Sequence, residues 1–169
     1  NEKNNKIYFH VRSSSWGWAT WDDRWDDKIF DKSKIREVIN ENDGVLRKFN
    51  NEAGNDASRM LLGALTGKNN SWYIRWVFYN FINSKISVYP ILSKVLNVGF
   101  NSEATHCTGI SAYKSEMDLS NNKDFEFDKI IDLKNKDYKF LKYFSRKYKL
   151  IFRIKLLASL NGRKMVFNE

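Results

Sequence analysis

The residues best suited to chemistry are tryptophans near the start of the chain. Four of its six tryptophans lie between residues 16 and 25, in the segment SSSWGWATWDDRW. Indole rings are costly to expose, whereas the serines and aspartates beside them are polar, which favours a stacking platform next to a polar site. Sugars, with apolar C–H faces ringed by hydroxyls, suit such a platform. A wedge of aromatic core at a loop-to-helix junction is the alternative interpretation.

Three further motifs follow in order. GNDASRML begins at Gly54, SWYIRW begins at Ser71, and a segment from Val88 ends in ATHC at Cys107. Together, the four motifs resemble the C-terminal half of bacterial nucleotide-sugar glycosyltransferases of the GT-A type, the family-2-like enzymes of capsule and lipopolysaccharide synthesis. They are more distantly similar to the mannosyl-glycoprotein N-acetylglucosaminyltransferase. The resemblance covers residues 8–107 and implies an α/β fold, the C-terminal, acceptor-side part of a GT-A domain.

The resemblance also implies a donor-binding region. GT-A enzymes hold the nucleotide-sugar donor and a metal, Mn or Mg, in a nucleotide-binding half that carries an Asp-x-Asp motif. Only one strand-like run, residues 7–11, precedes the tryptophans, and no glycine-rich strand-to-helix fingerprint follows it. Backbone amides are therefore not predicted to cradle a diphosphate here. We expect the donor side and most metal ligands to lie elsewhere, and the chain alone to transfer no sugar.

Asp56 is the residue that the resemblance assigns as the catalytic base. Inverting transfer needs one carboxylate within hydrogen-bonding reach of the acceptor hydroxyl, to take its proton as the oxygen attacks the anomeric carbon. Asp56 begins a predicted helix in the motif NDxxR, and it matches the base of the related enzymes. The alternative is that Asp56 only caps that helix, because a carboxylate bonded to backbone amides is a weaker base.

Other motif residues are expected to bind substrate. Arg59 lies one turn after Asp56, and Arg75 lies between two tryptophans. Either guanidinium would offset donor phosphate charge or clamp an acceptor carboxylate through two hydrogen bonds. An ordinary surface ion pair of Arg59 with Asp56 or Glu52 is the alternative. The remaining candidates for the donor-sugar pocket and the substrate surface are Trp16, Gly17, Trp18 and Trp72.

His106 is the candidate metal ligand. Many GT-A enzymes supply a late histidine to the metal or the diphosphate, so the resemblance implies that role for His106 in the sequence Thr-His-Cys. One histidine beside one cysteine is poor spacing for a zinc site, which uses four such ligands. A loop histidine that binds no metal is the alternative.

The net charge of +9 lies entirely in the C-terminal part of the chain. Residues 134–169 contain eleven Lys or Arg and two acidic residues, whereas residues 1–133 are neutral overall. A nucleic-acid-binding body would carry basic residues on a folded face, so no nucleic-acid partner is expected. We predict a catalytic part over residues 1–120 and a basic tail over residues 121–169.

The tail has the pattern of a basic amphipathic helix. Between residues 138 and 160, apolar residues recur mainly at spacings of three and four, with Lys and Arg between them. Each cation near an anionic membrane is worth about 1 kcal/mol, which favours contact with the inner leaflet and a lipid-linked saccharide acceptor. A helix that docks on the body is the alternative. The single cysteine fits a reducing cytoplasm, so a cytoplasmic, peripheral inner-membrane location is expected.

Helix and strand signals position these motifs. Helices are predicted from residue 20 or 22 to 25, from 31 or 33 to 41, over 56–66 and over 72–82. Strands are predicted over residues 7–12, 86–90, 94–98 and 124–128.

Overall fold

The structure is a computed structural model that describes residues 7–96, 117–120 and 138–158. These ranges contain two β-strands and five α-helices, joined by loops and short 3₁₀ segments. The strands are β1 (Ile7–His10) and β2 (Ser87–Pro90). The helices are α1 (Lys32–Glu41), α2 (Val45–Ala53), α3 (Ala57–Leu65), α4 (Trp72–Ile82) and α5 (Arg146–Ala158).

The two strands form an antiparallel pair in which Tyr8 lies opposite Tyr89. Their rings stack with centroids 5.1 Å apart, a cross-strand contact that stabilises the pair. The Tyr89 hydroxyl donates a hydrogen bond of 2.7 Å to the backbone carbonyl of Arg12, which follows β1. Both strand predictions at this sheet are confirmed, and the sheet fixes the backbone of Arg12.

Polar side chains begin two of the predicted helices. The Asp31 carboxylate accepts hydrogen bonds from the backbone N–H groups of Ser33 and Lys34 at the start of α1. The Ser71 hydroxyl accepts one from Ile74 N–H at the start of α4. These contacts satisfy amides that have no partner inside the helix, and both predicted starts are confirmed.

The sequence analysis missed α2. Val45, Phe49 and Ala53 lie four residues apart and bury one face of this helix. The Asn-Asp-Gly sequence before it indicates the end of α1, and it does end α1. Gly44, at φ +71°, then turns the chain directly into a second helix.

The core lies among α2, α3 and α4. Phe49 of α2 meets Phe78 of α4 edge to face, with ring centroids 5.1 Å apart. Burial of large apolar side chains contributes about 1.5–3 kcal/mol each, so this core holds the start of α3 in place. Its fully buried large side chains include Phe49, Leu61, Ile74 and Val77.

The prediction of a helix that ends at residue 25 is wrong. The chain instead forms two 3₁₀ turns, Asp22–Arg24 and Asp27–Phe30, separated by extended backbone. The Asp26 carboxylate bonds to the N–H of Lys28, a local contact that competes with continuous helix.

The prediction of a single helix over residues 138–160 is also wrong. A 3₁₀ helix spans Tyr138–Phe144, Ser145 follows it, and α5 begins at Arg146. The Ser145 hydroxyl accepts a hydrogen bond of 3.1 Å from Tyr148 N–H, as an N-cap residue does. The predicted apolar face is thereby divided between two segments.

Other predictions fall partly or wholly outside the described residues. These include the boundary at residue 120 and the strand over 124–128. Lys94, Val95 and Leu96 do not form a strand, although Ser93 makes an isolated bridge with Met117. The GT-A assignment stays a prediction. Within the described ranges, we find no helix with the length and apolar character needed to cross a membrane.

Candidate functional site

Asp56 occupies the N-cap position of α3 but does not cap it, since its side chain makes no hydrogen bond to the helix amides. Oδ1 of its buried carboxylate accepts a hydrogen bond of 2.7 Å from the Arg12 guanidinium. Oδ2 accepts one of 2.9 Å from the Lys149 ammonium of α5. The carboxylate therefore lies between two cations from distant parts of the chain.

Asn50 performs the capping function instead. Its side-chain oxygen accepts a hydrogen bond of 2.9 Å from the backbone N–H of Ser58, in the first turn of α3. The Ser58 hydroxyl in turn donates 2.6 Å to the carbonyl of Leu46 in α2. Because Asn50 of α2 accepts the hydrogen bond from an N–H group in the first turn of α3, the Asp56 carboxylate is not needed as the cap and can make other contacts.

The Arg12 guanidinium is fixed on several sides. It is only 4% exposed and also donates to the Ala53 carbonyl and the Tyr73 hydroxyl, each at 2.9 Å. The Phe144 ring covers it, with the guanidinium carbon 3.7 Å from the ring centroid. A buried ion pair held by further hydrogen bonds has a defined geometry, so Asp56 is rigidly placed.

Opposing effects act on the pKa of Asp56. Burial raises the pKa of this carboxyl, but the charges and hydrogen bonds of Arg12 and Lys149 outweigh burial and lower it below its ordinary value. The group is therefore ionised at neutral pH. The contacts that keep Asp56 ionised also make it a weaker base than a free carboxylate, but each oxygen still has a lone pair for another donor, such as a substrate hydroxyl.

Gly54 makes the close packing around this ion pair feasible. Its φ is +111°, a conformation that side chains rarely adopt. A Cβ at this position would lie 2.9 Å from Cβ of Phe144 and 3.0 Å from Nη1 of Arg12. The glycine of the GNDASRML motif is thus required by the backbone and by the contact with the tail.

An open cleft lies beside Asp56, with a volume of about 290 Å³ including its mouth. Two of its lining cations, Arg59 and Arg146, are exposed and make no ion pair within the described part of the chain. The surface ion pair considered for Arg59 is therefore not observed there. The cleft is lined by Asn55, Asp56, Arg59, Phe144, Arg146 and Lys149.

The tryptophans form a second aromatic region. Trp18 lies 5.2 Å from Trp72 and 6.0 Å from both Trp25 and Trp76, measured between ring centroids. Trp18 is 36% exposed and Trp16 is 47% exposed. The motifs SSSWGWATWDDRW and SWYIRW thus meet in space, and the cluster is packed on one side and open to solvent on the other.

Gly17 and Arg75 have evident structural contacts. Gly17 has φ +56°, and a Cβ there would lie 2.3 Å from Cγ2 of Val95, so only glycine fits. The buried Arg75 guanidinium lies 5.3 Å from the Phe30 ring centroid and donates a long hydrogen bond of 3.5 Å to the Phe30 carbonyl. Its Nε has no hydrogen-bond partner among the described residues.

The described residues do not provide a metal site. His106 lies outside the described ranges, as does Cys107. Within those ranges no three His, Cys, Asp or Glu side chains are grouped so that they could hold a metal ion. The resemblance places most ligands of the Mn or Mg in another part of the enzyme, so the metal stays a prediction, and no reaction step is assigned to it here.

Two features of the chain connect the Asp56 cleft with the tryptophan cluster. Tyr73 of α4 contacts Arg12, whereas the neighbouring Trp72 contacts Trp18. Arg12 and Trp16 are also only four residues apart, which limits their Cα separation to about 14 Å. The Asp56 cleft and the tryptophan cluster are therefore neighbours on the same scaffold.

Sequence reasoning missed the partners of Asp56. Arg12 follows a strand and precedes three serines, and Lys149 is one of many tail cations, so neither has a motif of its own. The sequence could have predicted a cationic partner only from the energy of burial, because an aspartate in a largely apolar helical region needs a cation if it is buried. In comparisons with known proteins, no family model, curated protein or solved structure matches this chain.

Proposed function

We propose that this chain is the acceptor-side part of a nucleotide-sugar glycosyltransferase. It would transfer a sugar to a saccharide or lipid-linked saccharide acceptor in cell-surface polysaccharide or lipopolysaccharide synthesis. The observation that carries the proposal is the Asp56 carboxylate. It does not cap α3, it is ionised at neutral pH, and it lines a cleft. The four ordered motifs add the resemblance to enzymes of this class.

Asp56 acts as the base in this proposal. The acceptor hydroxyl donates a hydrogen bond to a carboxylate oxygen, and its proton moves to Asp56 as the hydroxyl oxygen bonds to the anomeric carbon. The bond from that carbon to the donor phosphate breaks, and the nucleoside diphosphate leaves with the electron pair. Arg12 keeps the carboxylate oriented throughout. Direct displacement inverts the anomeric configuration.

The tryptophan cluster holds the sugar in this proposal. Trp16 and Trp18 expose ring surface, and Trp72 supports Trp18 from α4. Gly17 sets the turn between the two exposed rings. Aromatic faces contribute apolar stacking area, while the Asp56 side provides polar contacts, and sugars require both.

The tail supports a peripheral position at the inner membrane. Four apolar side chains of α5, at helical spacing, are between 39% and 60% exposed: Leu150, Ile151, Ile154 and Leu157. Exposed cations flank this stripe, including Arg153 and Lys155. A helix with an exposed apolar stripe and flanking cations is suited to lie in an anionic membrane interface.

The function is tested by a transfer assay. The protein is supplied with its donor-binding part, UDP- or GDP-sugars and saccharide acceptors, and the product configuration is determined by NMR. We expect acceptor-dependent transfer with inversion. Retention of configuration, or no transfer by the folded assembly, would contradict the proposal. Saccharide or membrane binding without transfer would favour the alternative, a non-catalytic carbohydrate-binding or membrane-docking module.

The membrane position is tested with anionic vesicles. Ile151→Asp and Ile154→Asp introduce charge into the exposed stripe and should weaken vesicle binding by at least about tenfold. Ile82→Asp is the matched control, because Ile82 is 39% exposed on α4 and lies outside the tail. Equal vesicle binding by all three variants would contradict the membrane proposal.

A further inference from the structure

We infer that the cleft beside Asp56 binds a phosphate group. The inference rests on the proposed function in placing this phosphate on a substrate of that site, although binding itself requires no reaction. The first observation is the charge of the lining, in which Arg59, Arg146 and Lys149 surround a single carboxylate. Arg12 and Lys149 both pair with that carboxylate, so the charges of Arg59 and Arg146 have no counter-charge among the described residues.

The second observation is that two of these cations are available. The side chains of Arg59 and Arg146 have no hydrogen bond or ion pair among the described residues, although both line the same cleft. A guanidinium presents paired N–H donors in a fixed plane, which matches the oxygen geometry of a phosphate. Asn55 also lines the cleft, and its side chain carries an amide that can donate a hydrogen bond.

The third observation is the direction of two helices. Asn55 and Asp56 immediately precede α3, and Arg146 is the first residue of α5. Both helices thus begin at the cleft, and a helix N-terminus carries a partial positive charge. These two helix starts add to the field of the three side-chain cations and favour an anion over a neutral group.

The size of the cleft limits the ligand. The space of about 290 Å³ includes open solvent, and the cavity volume of the cleft itself is only about 40 Å³, so the cleft takes one compact group and not a whole nucleotide sugar. A phosphate in solution and the phosphate of a lipid headgroup share this chemistry. Either source is compatible with α5, because this helix supplies Arg146 and Lys149 to the cleft and also carries the exposed apolar stripe.

Arg59→Gln and Arg146→Gln test the inference in the full chain. The matched control is Arg47→Gln, since Arg47 is exposed on α2, has no ion pair in the described part of the chain and does not line the cleft. One arm measures the Kd for inorganic pyrophosphate by calorimetry. The other measures binding to phosphatidylcholine vesicles with and without phosphatidic acid.

Each cleft variant should weaken phosphate binding about tenfold or more, as expected for a lost charged hydrogen bond, and Arg47→Gln less than about twofold. Weaker pyrophosphate binding identifies a soluble phosphate, and weakening confined to phosphatidic acid vesicles identifies a lipid phosphate. The inference is overturned if the cleft variants behave like Arg47→Gln in both arms, or if the chain binds neither probe. A protein that binds pyrophosphate but transfers no sugar would contradict the proposed function alone.

Discussion

Asp31 and Asp56 occupy equivalent positions before α1 and α3 but have different environments. The Asp31 carboxylate is exposed to solvent and accepts hydrogen bonds from Ser33 and Lys34, as an N-cap residue does. The buried Asp56 carboxylate makes no capping bond and pairs with Arg12 and Lys149. An aspartate at a helix start therefore has no fixed role, and its neighbours decide whether it caps the helix or forms ion pairs.

The pKa of each carboxyl reflects this difference. Hydrogen bonds from Ser33 and Lys34 lower the pKa of Asp31, which lies in water. For Asp56, burial acts in the opposite direction and is outweighed by two nearby cations. Both groups are ionised at neutral pH, but only the ionised state of Asp56 depends on residues far away in the chain.

The largest stability effect is expected when Arg12 is removed. Arg12→Met leaves the Asp56 carboxylate buried with Lys149 as its one cation among the described residues, and it removes the contacts to Ala53 and Tyr73. The free energy of unfolding should fall by about 3–5 kcal/mol, as for a broken buried ion pair. Arg47→Met, at an exposed and unpaired arginine, should change it by less than about 0.5 kcal/mol.

Urea unfolding followed by circular dichroism measures both variants. A loss below about 1 kcal/mol for Arg12→Met would show that the Arg12–Asp56 pair is weak, and it would remove the contrast with the exposed Asp31.

Gly54→Ala tests the packing that brings the tail to Asp56. Its Cβ would lie 2.9 Å from Phe144 in a backbone conformation at φ +111°, so a loss of about 2–3 kcal/mol is expected. Gly67→Ala is the control, because Gly67 has φ +79° with no atom within 4 Å of a Cβ. It should lose only about 1 kcal/mol in thermal unfolding. Equal losses would indicate that the tail does not contact Gly54.

Acid should destabilise the wild-type chain partly through Asp56. Because the folded-state pKa of Asp56 is lowered, its contribution is present above the unfolded pKa of about 3.9 and is lost as the pH falls through the folded value. Each pKa unit of lowering corresponds to about 1.4 kcal/mol. Between about pH 5 and pH 2, Asp56→Asn should therefore lose less unfolding free energy than wild type. Parallel stability curves would contradict this linkage.

The smallest effect is expected at the cap itself. Asn50→Ala removes the hydrogen bond to Ser58 N–H and should cost about 1 kcal/mol. Asn51→Ala, at an exposed neighbour on the same helix, should cost less than about 0.5 kcal/mol. Unfolding measurements that found the two variants equal would mean that Asn50 does not replace Asp56 as the cap of α3.

The sequence predicted the local features of the fold better than the long-range ones. Asp31 and Ser71 are local signals, and the helices that they begin were predicted correctly. The helix α2 was missed because only the turn over residues 42–44 separates it from α1, and Gly44 in that turn is the N-cap of α2. The break at Ser145 was missed because apolar spacing continues across it.

The candidate site was predictable only in part. Resemblance and helix position identified Asp56, yet the cap provided by Asn50 depends on how α2 packs against α3. Arg12 and Lys149 lie 44 and 93 residues from Asp56 in the chain, beyond the reach of spacing arguments. The positive φ of Gly54 is likewise visible only in three dimensions.

The most direct test of the account compares Asp56→Asn with Asp31→Asn in sugar transfer, measured with the donor-binding part that the proposed function requires. Asn keeps the shape and most of the capping capacity of Asp, so a residue that only caps should lose little. We predict that Asp56→Asn lowers turnover by about 10²–10⁴-fold with donor affinity nearly unchanged, and that Asp31→Asn lowers it less than about twofold. Near-full turnover by a folded Asp56→Asn variant would contradict the assignment of Asp56 as the base.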